Sequence, residues 1–108
     1  MTRWEEYLRS LSYSPISVAS QDVGLVYGFI LEVGESRFFM QDLAGFDSGD
    51  VFKIQFLSSR LNGVKFWVKV VRKVEKKIEA VFTGFEIDYC RYPMTELQPH
   101  WEKLQGLA

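Results

Sequence analysis

The chain has 108 residues, 47% of them hydrophobic, 25% charged and 16% aromatic, with a formal net charge of −1. That length allows one domain with a real core and little more, and the near-neutral charge excludes a global field drawing it to nucleic acid or anionic membrane. The single cysteine, Cys90, excludes an intramolecular disulfide framework and fits a reducing, cytoplasmic location.

The first residues, MTRWEEYLRS, lack the apolar core of a signal peptide. Thr2 and Glu5 have the spacing of a capping box, and Trp4, Tyr7, Leu8 and Leu11 recur at helical spacing. A short N-terminal helix is therefore expected within 1–15, stopped before Pro15. Ile16 to Val18 reads as a short strand. Gly24 to Val33 is a strong strand with a bulge or bend at Gly28, and Gly34 to Ser36 turns it into a return strand, Arg37 to Asp42. Leu43 to Asp50 is a loop rich in Gly, Ser and Asp.

Three strands then follow with short connections, an antiparallel meander. Val51 to Phe56 alternates, with Phe52, Ile54 and Phe56 on one face and Val51, Lys53 and Gln55 on the other. Val64 to Val74 is the longest strand, Glu75 to Lys77 turns it, and Ile78 to Ile87 closes the meander with a bulge site at Gly84. The tail, 88–108, starts as loop and ends in a helix on which Leu97, Trp101, Leu104 and Ala108 share a face. The fold class is thus mainly β: a small antiparallel barrel with a short helix at each end, its wall spanning 16–87, in one domain over 1–108.

Residues suited to chemistry are sparse. His100, the only histidine, has no partner in its own neighbourhood and reads as a surface or capping residue. Cys90 lacks a CxxC partner or an activating base. One Cys and one His cannot build a four-ligand zinc site. The Asp42 to Asp50 loop lacks calcium-loop spacing and reads as turns with Asx-type bonds. Gly24, Gly28 and Gly34 do not make a phosphate-binding loop. No catalytic or metal-binding residue is assigned, and an enzyme is not expected.

The long strand offers a surface instead. Lys65, Trp67, Lys69 and Lys73 share one face, an aromatic ring among lysines. Such a face suits a protein partner, because Trp is enriched in binding hot spots. It also suits single-stranded nucleic acid, whose bases stack on rings between phosphate-pairing cations, with Tyr27 as a further stacking residue.

The punctuation of the meander carries a resemblance. Gly49, Asp50, Val51, Lys53, Ile54 and Phe56, then Val68, Val70, Val71, Arg72 and Lys73, then Val81, Phe82, Gly84 and Phe85 resemble the second half of a PilZ domain. The likeness covers roughly the last two thirds of the chain and its motifs are of modest specificity. It implies a six-stranded barrel in a bacterial protein of signalling, motility or pilus assembly, and many PilZ domains bind cyclic di-GMP. The family binds it through an R-x-x-x-R segment before the barrel and a D/N-x-S-x-x-G segment on an early strand. Here Arg3 and Arg9 are wrongly spaced, and Glu32, Gly34, Ser36 and Arg37 fall at the second motif, with Gly34 in place of its Ser and Arg37 in place of its Gly. Arg3, Arg9, Glu32, Ser36 and Arg37 are the ligand-binding candidates the likeness offers. With the phosphate-pairing arginines missing, the resemblance implies a degenerate member that works as an adaptor on a protein partner, without cofactor. A cyclic di-GMP receptor with a non-standard site and a nucleic-acid-binding barrel are the alternatives.

Overall fold

A computed structural model describes residues 6, 9–20, 24–34, 37–43, 45–57, 63–97 and 99–100. Seven strands follow in chain order: β1 (Pro15–Ser20), β2 (Gly24–Val33), β3 (Arg37–Gln41), β4 (Val51–Phe56), β5 (Lys65–Val74), β6 (Lys77–Ile87) and β7 (Cys90–Pro93). They lie in the order β3-β2-β1-β4-β5-β6-β7, all pairings antiparallel, and a further β3–β6 pairing closes the first six into a barrel.

β6 makes that closure. One of its edges pairs with β5 along the whole hairpin, from Val74↔Lys77 to Lys65↔Glu86. Its other edge is shared: Lys77 to Val81 pairs with β3, and Gly84 to Ile87 pairs with β7. Register shifts leave Thr83 as an extra residue on β6 and Val71 as one on β5, and a third shift lies between Ile30 and Val33 of β2. Bulges of this kind bend strands and raise their twist, which a small barrel needs to close. The bulge expected at Gly84 thus sits beside it. At Gly28 the sequence reading is corrected: the irregularity lies further along β2, and the missing side chain of Gly28 makes room for Leu43, whose Cδ1 would stand 2.4 Å from an added Cβ.

Alternation places the core as expected. Phe52, Ile54 and Phe56 of β4 and Phe66, Val68 and Val70 of β5 are buried, together with Ile16, Val18, Ile30, Phe38, Met40, Ile78, Ala80 and Phe85. Phe66 is the hub of the aromatic filling. It meets Phe56 edge-on at 5.7 Å and Phe82 at 5.3 Å, and Phe82 lies 4.7 Å from Phe38.

Of the short helices expected at the two ends, only pieces fall within the described residues. Among the described residues the only helical element with defined bounds is one 3-10 turn, Met94–Glu96, which fixes the buried Leu97 in the core. Glu6, Arg9 and Ser10, and likewise Leu97, Pro99 and His100, have helical backbone. Most of the two expected helices lies outside the described residues. The start of the tail is corrected: where a loop is expected, Asp88 and Tyr89 both take positive φ (51° and 66°) and turn the chain back into a strand with Ile87 paired to Cys90.

Two consecutive left-handed residues define a type I′ hairpin turn, a conformation in which Tyr has a Cβ penalty that Gly lacks. Tyr89 is 99% exposed, so truncation removes no burial. Tyr89→Gly is expected to stabilise the fold by about 0.5–1 kcal/mol, read as a rise of a few degrees in the melting temperature. A lowered melt would contradict it.

Candidate functional site

The outer wall of the barrel carries the polar and exposed groups, and three neighbourhoods stand out. The first is around Trp67. Its ring is half-buried, with Lys53 Nζ 5.0 Å and Arg91 Cζ 4.3 Å from its centroid, and Nε1 donates to Glu86 Oε1 at 2.8 Å. Glu86 Oε2 in turn lies 3.9 Å from Lys53. Lys65 and Lys69 flank the ring on β5 and are exposed, but Lys73 pairs with Asp42 at 3.1 Å. The expected face therefore exists over Lys65, Trp67 and Lys69, with its aromatic ring already engaged by the chain's own side chains; Lys73 is corrected, because the bulge at Val71 reverses the alternation and sets it opposite the core residue Ile78. A base stacking on Trp67 would compete with Lys53 and Arg91. Nor does Tyr27 extend a platform. Register runs Trp67↔Lys53↔Ala19↔Leu25 across β5, β4, β1 and β2, so Trp67 and β2 are three strand spacings apart, about 14 Å along the sheet.

The second neighbourhood straddles the β3–β6–β5 seam. Glu79 of β6 is only 5% exposed and accepts hydrogen bonds from two guanidinium groups: Arg37 Nη1 at 2.9 Å, and Arg72 through Nη2 at 3.1 Å and Nε at 3.3 Å. Both arginines remain more than half exposed. The Arg37 hydrogen bond, reinforced by Arg72, holds the Glu79 carboxyl below its ordinary value of 4.5 against the opposing effect of burial. Because the folded-state pKa lies below the unfolded one, these contacts stabilise fully above about pH 4.5 and fade as pH falls through the folded value. Glu79→Gln is accordingly expected to lower the melting temperature by a constant amount between about pH 5.5 and 8, the gap closing in more acid solution. Melting curves of the two proteins that stay parallel down to acid pH would contradict this.

Of the ligand candidates from the PilZ likeness, Arg3 and Ser36 lie outside the described residues. Arg9 and Glu32 are exposed. Arg37 donates one N–H, from Nη1, to Glu79, so a phosphate approaching that guanidinium meets a carboxylate already beside it. His100 does not read as a simple surface residue: its ring packs 4.5 Å from Tyr92 and 5.4 Å from Phe85, and Nδ1 donates to the Glu96 carbonyl at 2.9 Å. In the acidic loop, Asp42 Oδ1 accepts from the Gly45 and Phe46 amides, and Asp50 Oδ2 from the Asp47 amide. These are the Asx-type bonds expected there.

The third neighbourhood was not singled out from sequence. β2 points Leu25, Tyr27, Phe29 and Leu31 outward, and β1 sets Ala19, Ser17 and Pro15 opposite the first three. Leu25, Tyr27 and Phe29 are 58%, 65% and 51% exposed, and Tyr13 beside them is 68% exposed. Tyr13, Phe29, Leu31, Gln41, Lys76 and Lys77 line a shallow groove of about 460 Å³ at one end of this row. The signal was legible: in GLVYGFIL both alternating sets are apolar, so one face of β2 fills the core and the other must meet something else or water.

The fold and these surfaces define a closed antiparallel β-barrel with an apolar outer face. No family model matches the chain and no curated protein matches it. Among the described residues no helix is long and apolar enough to cross a membrane.

Proposed function

We propose that this protein is a non-enzymatic module that acts by contact with another protein through the outer wall of its barrel. The observation that carries the reading is the apolar row of Leu25, Tyr27 and Phe29, set on rigid strands and left more than half exposed. Contiguous apolar surface of this kind is a contact site in soluble proteins, because leaving it in water forgoes the transfer free energy of its burial. The closed six-stranded barrel and the meander's likeness to PilZ domains support placing it among bacterial cytoplasmic adaptors of signalling, motility or pilus assembly. The nucleotide-receptor reading is weakened by Glu79, whose carboxylate already pairs with both Arg37 and Arg72. The nucleic-acid reading is weakened by the cations already set against Trp67.

The test is affinity capture from a lysate of the source cells with the full chain tethered, wild type against Tyr27→Lys. A defined protein, either a foreign one or an untethered copy of this chain, retained by the wild type and lost by the variant is the expected result. Retention of neither, together with heat on titrating cyclic di-GMP, would replace the adaptor by a receptor.

A further inference from the structure

The partner at the β1–β2 face can be narrowed. We infer that this face binds a second copy of the same chain, in a two-fold dimer whose axis passes close to Tyr27. The inference rests on the contact reading above and names the occupant of that surface.

Size is the first argument. Tyr13, Leu25, Tyr27 and Phe29 are each more than half exposed. At the 150–250 Å² that a whole aromatic side chain can bury, the four present roughly 450 Å² of apolar surface. Homodimer interfaces are about 65% apolar at their core, so an apolar centre of this size corresponds to about 700 Å² on each partner once a polar rim is added. A stable interface of standard size needs about 800 Å² per partner. Leu31 and Pro15, half-buried on the same face, bring the patch to that size.

Charge is the second argument. A two-fold axis lays a patch on itself, so any charge near its centre meets its own copy. From Gly24 to Leu31 the chain carries no charged residue, and β1 contributes only Pro15, Ser17 and Ala19 opposite it. Among the described residues, Lys76 and Lys77 on the groove and Lys53 beyond Ala19 are cations at its rim. A transient foreign partner is recognised by a surface no more apolar than the rest of the protein, with charges that set orientation. Among the described residues this patch carries no such charge at its centre, and it meets the requirement for self-association instead. Tyr27, flanked on β2 by Leu25 and Phe29 and paired across to Ser17, sits at the centre of the row. In a self-complementary contact the central residue lies nearest its own copy.

The experiment is sedimentation velocity on the full chain from about 1 to 100 µM, where mass action reveals a dimer. The expected result is a shift from a 12.6 kDa species to one of twice that mass. Tyr27→Lys and Tyr27→Glu should each remain monomeric, and their melting curves should match that of dilute, monomeric wild type, since Tyr27 is mostly in water. Mixed in equal amounts they should pair again, because lysine then faces glutamate at the axis. A wild type monomeric throughout the range, a dimer indifferent to either substitution, or a mixture that stays monomeric would overturn the proposal. A monomer whose Tyr27→Lys variant still loses a foreign protein in the capture experiment would sink the dimer and leave the contact reading standing.

Discussion

Phe66→Ala is expected to destabilise the barrel by about 3–5 kcal/mol, the range for emptying a fully buried Phe site. Phe66 has no exposed surface and touches rings on both sides, Phe56 and Phe82, the second of which also leans on Phe38. Removing it opens a void bounded by β-sheet on every side, and a closed wall cannot collapse into a cavity as a surface helix can. A domain of this size has only about 5–15 kcal/mol of total stability, so the melting temperature should fall by roughly 15–30 °C. Phe66→Leu keeps most of the volume and should cost less than about 1.5 kcal/mol. Thermal and urea melts of the two variants check the ordering. Equal and small losses would mean that the site relaxes and that the ring is not the hub it is taken for.

The second large effect is expected at Gly84. A Cβ there would lie 2.8 Å from the Tyr92 carbonyl oxygen, a backbone atom of β7 that cannot turn aside as a side chain would. Gly84→Ala should push β7 off β6, and with it Tyr92, which stacks on Phe85 at 5.3 Å and packs against His100. Overpacking of this kind costs about 1–3 kcal/mol. The loss should be local: amide exchange should speed up over Cys90 to Pro93 while the β3–β6 ladder, Arg37↔Val81 to Gln41↔Lys77, keeps its protection. Uniform loss along both ladders would show that β7 is part of the barrel's cooperative unit rather than an addition to it.

Much of the fold is legible in the sequence because period-2 burial is a local property. Phe52, Ile54 and Phe56 announce an inward face, and Gly24 to Val33 and Val51 to Phe56 begin and end where their turn residues say. What is missed has a physical reason in each case. β7 is only four residues long and is reached through a turn with Tyr in a left-handed position, where the usual Asn-Gly signal is absent. The Arg37–Glu79–Arg72 cluster joins residues 42 positions apart, a distance that only barrel closure brings to one place. Trp67 is found on the expected face, but the partners that engage its ring, Lys53 on β4 and Arg91 on β7, follow from register and from a strand not expected. The apolar row on β2 is the opposite case: its composition is plain in the sequence, and only the exposure of Leu25, Tyr27 and Phe29 in the fold tells a doubly buried strand from one with an open face.

The shared edge of β6 has a consequence for how the chain acquires its structure. Without β6, the strands already synthesised can form an open sheet in the order β3-β2-β1-β4-β5, with unpaired hydrogen-bonding edges at β3 and β5. Those edges are templates for wrong partners for as long as they stay open. β6 seals both at once, and its far end then receives β7. A nascent chain is therefore most exposed to misassembly in the interval between the emergence of β5 and that of β6. The short two-residue connection between Val74 and Lys77 adds little to that interval, which synthesis sets at roughly a second, and once β6 is out a tight hairpin closes within microseconds.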